Sequence, residues 1–294
     1  MAIRIEHRLT AIISTLLLAL LASTSPQAFA EEQSQLSPVG YNIIDGKQDT
    51  EHPITNSSLL NNPGFTSTPS SQGTHWMLEK VIGFDSRQQV HNTATAPFRW
   101  IGQINFIGAG GQAEFCTGSL ISSDTVITAG HCLARGAADI SFTPGANGDI
   151  ELFPTAKATQ VWYDSNFTDP GKDWGIIKLD QPLGNEVGWF GMKIPTDNEL
   201  QGKFAIVIGY PSDKQTKTMW KDRNKTIGFT ATEVKYLADT FRGQSGSPVV
   251  DDTATLYALH RGGTNRHNVG TRIHPDLFSI IVNVSNLETI EVGS

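Results

Sequence analysis

Cysteine is scarce: Cys116 and Cys132 are the only two in 294 residues, too few for a multi-bridge scaffold or a four-thiolate zinc site. Charge is scarce too. Asp, Glu, Lys and Arg make up 17% of the chain, and 22 basic residues face 29 acidic ones for a formal net charge of -7. With no basic block along the chain, no nucleic-acid partner is expected. Beyond the first 30 residues no apolar run is long enough for a membrane span, so no stable membrane association is expected. There is no repeat of solenoid period. The histidines, including His267 and His274, show no metal-ligand spacing, so neither a metal nor another cofactor is expected.

What is present is strand and turn chemistry. Twenty-eight Gly and 14 Pro among many Thr and Val favour short strands joined by tight turns over a helical bundle. Arg4 and Arg8 precede the apolar run from Leu9 to Ala22, and Ala28-Phe29-Ala30 follows before Glu31. This is the pattern of a signal peptide over 1–30, and it implies a secreted protein, extracellular or periplasmic. In that oxidising setting Cys116 and Cys132 can pair. Residues 31–80 are rich in Ser, Thr, Asn, Gln and Pro without sustained periodicity, a composition expected to bury little core. Residues 81–294 keep 18 basic against 22 acidic residues and form the expected globular domain.

Candidate strands cover Phe98 to Ile107, Ser119 to Thr128, Trp174 to Leu179, Lys203 to Tyr210, Thr226 to Val234, Ser247 to Val250 and Thr255 to His260. One helix is expected at the end, where Pro275 suits a first helical position, Asp276 suits its positive N-terminal end, and Leu277, Phe278, Ile281 and Val284 share a face. An all-β body with a C-terminal helix results.

Acyl transfer by a serine needs a nucleophile, a base, a carboxylate that orients the base, and backbone donors for the oxyanion. Three segments could supply them. Thr128-Ala129-Gly130-His131-Cys132 ends an apolar strand on a histidine. Lys172-Asp173-Trp174 places an aspartate just before another. Arg242-Gly243-Gln244-Ser245-Gly246-Ser247-Pro248 brackets a serine with glycines. Each alone has a structural reading: an isolated histidine, a turn aspartate, a hairpin glycine pair. Together, His131, Asp173 and Ser245 follow the chain order of the chymotrypsin-type triad rather than that of subtilisin-like or α/β-hydrolase enzymes. The α/β-hydrolase elbow also needs a glycine where Ser247 stands.

The chain thus resembles the trypsin-like serine endopeptidases over about residues 81 to 290. Cys116-Thr117-Gly118-Ser119-Leu120-Ile121 with Val126-Ile127-Thr128-Ala129-Gly130-His131-Cys132 looks like that family's first disulfide loop and histidine box, and Gly243-Gln244-Ser245-Gly246-Ser247-Pro248 like its nucleophile loop. Within the family it is similar to the bacterial glutamyl endopeptidase group, through Val81-Ile82-Gly83 with Asp85 and Arg87, Gly209-Tyr210-Pro211, Ser247-Pro248, and Leu259-His260-Arg261-Gly262-Gly263. The resemblance implies two six-stranded antiparallel β-barrels, dividing near residues 190–200, with the active site between them. It further implies a propeptide over 31–80, an active form beginning at about Val81, a Cys116–Cys132 disulfide, and an oxyanion hole from the N–H groups of Gly243 and Ser245.

The substrate-binding set implied is Thr240, His260, Arg242, Asp239 and Val81, and it leaves specificity open. His260 and Thr240 match residues that the glutamyl group uses for an acidic side chain, whereas Asp239 falls near the position at which trypsin-like enzymes keep the carboxylate that selects Lys or Arg. The residue before the nucleophile, an aspartate in the animal enzymes, is Gln244, so a buried charge pair with a new N-terminus is not available there. Expected is a monomeric endopeptidase acting on proteins or peptides, cutting after Glu and less well after Asp. The alternatives are Lys/Arg or broad specificity, and a catalytically inactive binding module on the same fold.

Overall fold

The structure, a computed structural model, describes residues 36–54 and 80–285. In chain order its strands are β1 (Pro38–Ile44), β2 (Lys47–Gln48), β3 (Gln88–Gln89), β4 (Ile101–Ile107), β5 (Ala113–Leu120), β6 (Thr125–Thr128), β7 (Ala138–Pro144), β8 (Ala156–Asp164) and β9 (Gly175–Leu179), then β10 (Phe204–Gly209), β11 (Trp220–Phe229), β12 (Glu233–Tyr236), β13 (Pro248–Val250), β14 (Leu256–Gly263) and β15 (Asn268–Arg272). All their pairings are antiparallel. Strands β4, β5, β6, β9, β8 and β7 close one six-stranded barrel, and β10, β13, β14, β15, β12 and β11 close a second.

Several strands are apolar on both faces because each face has a core to fill. Val126, Val161 and Ile177 point into the first barrel, whereas their neighbours Ile127, Trp162 and Ile176 point into a cluster between the barrels, where they meet Ile208, Tyr210 and Leu259 of the second. The helix Pro275–Ser285 forms where expected. It buries Leu277, Ile280, Ile281 and Val284 in the same cluster, with Phe278 at its edge. Among the described residues no helix is long and apolar enough to cross a membrane.

Three expectations need correction. Ser119 to Thr128 is a hairpin rather than one strand: β5 stops at Leu120, and the Ile121 N–H donates to the Thr125 carbonyl at 2.9 Å across the turn formers Ser122, Ser123 and Asp124. Thr226 to Val234 likewise contains a reversal, where the Thr230 hydroxyl oxygen accepts the Glu233 N–H at 3.0 Å. Third, residues 36–54 are built into the first barrel. Strand β1 pairs with β8 from Pro38 against Asp164 to Asn42 against Gln160, and Val39, Tyr41 and Ile43 pack on the first barrel's core. Average composition conceals this segment, because three apolar residues at alternate positions suffice once a neighbouring strand supplies the hydrogen bonds.

Candidate active site

Strand β6 delivers the chain into a single tight turn, Gly130–Cys132, that carries His131. Behind it, Cys132 is bonded to Cys116 of β5, with Cα atoms 6.4 Å apart. Asp173 lies two residues before β9 and is held from the second barrel, where the Thr271 hydroxyl donates to its backbone carbonyl at 2.9 Å. Ser245 lies on the loop before β13. His131 joins the two: its Nδ1–H donates to Asp173 Oδ2 at 2.8 Å, its backbone N–H donates to Asp173 Oδ1 at 2.9 Å, and the Ser245 hydroxyl donates to Nε2 at 2.8 Å. Burial alone would raise the Asp173 pKa, but the adjacent His131 and, further off, Arg261 outweigh it and hold this carboxyl below the ordinary range.

The Ser245 loop is clamped by a residue of the other barrel. Thr117 of β5, fully buried, donates its N–H to the Ser245 carbonyl at 2.9 Å and its hydroxyl to the Gly243 carbonyl at 2.9 Å, and the hydroxyl oxygen accepts the Tyr210 N–H at 3.0 Å. Gly243 has φ +94°, and a Cβ there would stand 2.3 Å from the Phe115 ring and 2.5 Å from the Tyr210 carbonyl oxygen. Only glycine tolerates both constraints. Gln244 folds back on its own loop, where Oε1 accepts the Phe241 N–H at 3.0 Å.

The expected binding residues divide. Arg242 is exposed and borders a cleft of about 470 Å³, together with His131, Asp173, Gly243, Ser245 and Arg261. His260 and Thr240 are completely buried. The His260 backbone pairs with the two residues after Ser245: the Gly246 N–H donates to its carbonyl at 2.8 Å and its own N–H donates to the Ser247 carbonyl at 2.9 Å. The Tyr236 hydroxyl lies 2.6 Å from His260 Nδ1. Burial, with His131 adding to it, pushes the His260 pKa down to about 3, so this histidine is neutral near pH 7.

Asp239 does not line the cleft. Its Oδ1 accepts the Ile82 N–H at 2.6 Å and its Oδ2 accepts the Ser86 N–H and hydroxyl at 2.9 and 3.0 Å. Its carboxylate anchors the chain after Val81. Val81 itself is half-buried, and the carbonyl before it, that of Lys80, accepts Asn268 Nδ2–H at 2.9 Å and the Thr240 N–H at 3.3 Å. Arg87 secures the same entering segment, with its buried guanidinium gripped by Asp85 and Asp213.

Thr117, Tyr236, Asn268 and Arg261 received no role from the sequence. Arg261 Nε lies 3.8 Å from Asp173 Oδ2 while its NH1 binds Glu233. Nothing local marks such residues, because each acts on a segment dozens of positions away.

Two closed barrels meeting at a histidine that joins an aspartate to a serine define the chymotrypsin-like serine endopeptidases, enzymes acting on proteins and peptides. The chain belongs to the trypsin family, whose sequence profile matches residues 87–286. It is 33% identical over 230 residues to a glutamyl endopeptidase of Bacillus licheniformis, covering 72% of this chain and 71% of that one. A solved Glu endopeptidase bound to MPD superimposes with a TM-score of 0.64 at 29% identity, covering 70% of this chain and all of the other.

An extracellular metalloprotease of Bacillus subtilis strain 168 is 32% identical over 303 residues, covering 95% of this chain and 96% of the relative. The metal in that name does not fit the residues here. Among the described residues the one candidate donor group is Cys116, His131 and Cys132, whose two sulfurs are bonded to each other and whose imidazole contacts Asp173 and Ser245.

Proposed function

We propose that the protein is a secreted glutamyl endopeptidase using Ser245 as nucleophile, His131 as general base and acid, and Asp173 as the carboxylate that orients His131. The observation that carries this reading is His131 held between Asp173 and Ser245, with both contacts at 2.8 Å. As Ser245 Oγ attacks the scissile carbonyl, its proton passes to His131 Nε2, and the imidazolium is stabilised by Asp173. The N–H groups of Gly243 and Ser245 receive the oxyanion. His131 then protonates the leaving amine, and water, deprotonated by the same Nε2, releases the acyl group.

The substrate glutamate is recognised by His260 and Thr240. A Tyr236 hydroxyl donating to Nδ1 leaves the His260 proton on Nε2, where a neutral imidazole donates to the carboxylate. Since His260 carries no charge, Arg242 at the cleft and the α-amine of Val81 supply the positive field. The glutamyl specificity of the relatives supports this reading. The engagement of Asp239 by Ile82 and Ser86 removes support for Lys/Arg selection.

Residues 1–30 are the signal peptide and 31–80 the propeptide, and the mature enzyme, starting near Val81, is a monomer without a cofactor or stable membrane association. The extracellular relative supports export. In the uncut chain the triad contacts are already made, and Lys80 is tied to Thr240 and Asn268. Cleavage therefore frees the pocket rather than assembling the triad. The test is to digest an unfolded protein with the mature enzyme and map every cut by mass spectrometry: cuts after Glu are expected, and a preference for Lys or Arg would overturn the assignment.

A further inference from the structure

Residues 36–54 lie within the segment assigned to the propeptide, yet none of them lines the cleft. They wrap the first barrel. Five successive residues of β1 pair with β8, the Ser37 N–H donates to Asp164 Oδ2 at 2.6 Å, and the Ser165 N–H donates back to the Ser37 carbonyl at 2.9 Å. Leu36 is buried in the cluster between the barrels. Gly40 crosses the face of Trp162 so closely that a Cβ would stand 2.3 Å from the ring.

The segment then turns onto the loop that follows the catalytic histidine. Gln48 Nε2–H donates to the carbonyls of Leu133 and Ala137 at 2.6 and 3.1 Å, and the Asp139 N–H donates to the Gly46 carbonyl at 2.7 Å. Leu133 follows the disulfide-bonded Cys132 directly, so these bonds hold the loop just beyond the disulfide.

We propose that residues 36–54 remain on the enzyme after cleavage near Val81, as a non-covalent clasp that braces the His131 loop. The inference rests on the maturation reading above. Departure of the segment would leave the Gln160–Asp164 edge of β8 unpaired. It would strip Leu133 and Ala137 of their side-chain donor, and remove one of the two backbone donors to the buried Asp164 carboxylate, the other being the Asn166 N–H. Strand addition of this kind draws affinity from main-chain bonds and specificity from alternate side chains, here Val39, Tyr41 and Ile43.

Retention is tested independently of natural processing by inserting a short recognition sequence for a site-specific protease into residues 55–79 of the Ser245→Ala full chain. The chain is cut there and applied to size exclusion and native mass spectrometry. At roughly micromolar concentration the fragment containing 36–54 should travel with the domain and separate only in denaturant; its release on cutting overturns the proposal. Gly40→Val, which drives a side chain into Trp162, should release the fragment, and its retention would contradict the docking described.

Bracing is tested in the active background. Gln48→Ala keeps the strand pairing, so the fragment should stay while kcat falls about threefold or more with KM changed less; an unchanged kcat removes the bracing role. Denaturing mass analysis of naturally processed enzyme shows separately whether the chain is cut near Val81. An uncut active chain would sink the maturation reading and leave retention to be decided by the inserted site.

Discussion

The hydroxyl of Thr117 ties two backbone segments together, donating to the Gly243 carbonyl and accepting from the Tyr210 N–H, while the Thr117 N–H holds the Ser245 carbonyl. Thr117→Val keeps the shape and deletes the hydroxyl, leaving Gly243 and Tyr210 without a buried partner. A loss of about 1–3 kcal/mol in denaturant melts is expected, with kcat lowered more than KM raised as the Ser245 loop relaxes. Ser245→Ala should reduce kcat by roughly 10⁶-fold with the fold intact. Asp173→Asn should cost roughly 10⁴-fold, because an amide opposite Nδ1 favours the wrong tautomer of His131. Full activity in the Ser245 variant would refute the mechanism. His260→Ala should lower kcat/KM for a Glu substrate by about 1.5–3 kcal/mol and leave a Leu substrate nearly unchanged, a comparison that matched chromogenic peptides make directly. Position by position, the meeting of His131 with Asp173 and Ser245, and the need for glycine at 243, were legible because the residue types proposed for acyl transfer stand in recognisable local settings. Thr117 and Arg261 were not, since their roles depend on which distant segment they face.

At the scale of elements, β5 and the His131 turn behave as one piece because the disulfide joins residues 16 apart in sequence. Closing that loop is worth on the order of 3 kcal/mol. Reduction should therefore lower Tm and, by loosening the turn, kcat as well; a reduced protein with unchanged Tm would show that the β5–β6 hairpin alone fixes the loop. Strand β10 was readable as a continuous apolar run, and β4 and β9 from their Ile-rich sequences. Strands β7, β8 and β15 were overlooked because they interleave polar residues, as in Ala138–Pro144, where only alternate positions are buried. Hairpins were harder still. Ser122-Ser123-Asp124 is a short turn signal flanked by apolar residues, and its reversal is settled by the Ile121 to Thr125 bond.

Across the whole molecule, acid acts on activity and stability through different groups. Only neutral His131 can take the Ser245 proton, so kcat/KM should fall on the acid side as His131 protonates. His260, ordinarily near 6.5 and lowered to about 3 by burial, stays neutral in the fold where the unfolded chain binds a proton. Its contribution to stability is complete above pH 6.5 and is lost towards pH 3, at about 1.4 kcal/mol per pH unit once the unfolded form is protonated. Asp173 and Asp85, both held low, have the same sign but act below the ordinary carboxylate range. Asp164 and Asp222, raised by burial, oppose them. Thermal melts from pH 8 to 4 should show Tm declining already below pH 6.5, with that slope reduced by His260→Asn and the remainder carried by His274, which burial lowers in the same direction. The ratio of Glu to Leu cleavage should not follow His260 over this range. A decline in the ratio on the alkaline side, near the ordinary α-amine pKa of about 7.7–8.0, would identify the Val81 amine as the charge in the pocket.

The amino-acid sequence by itself carried the all-β body with its C-terminal helix, the charged-apolar-small leader pattern, the cysteine pair and the chain order of His131, Asp173 and Ser245, because these reside in local patterns and in motifs whose chemistry admits few residue types. The two-barrel class followed from the family resemblance that those motifs carry. Only the tertiary structure decided the state of Asp239, His260 and residues 36–54. Asp239 is an anchor rather than a pocket wall because Ile82 and Ser86 reach it across more than 150 positions. His260 is neutral because it is sealed from water. The polar leader of the domain becomes a strand because β8 offers it an edge. Each outcome depends on desolvation or pairing between segments far apart in the chain, and such energies exist only once the barrels have closed.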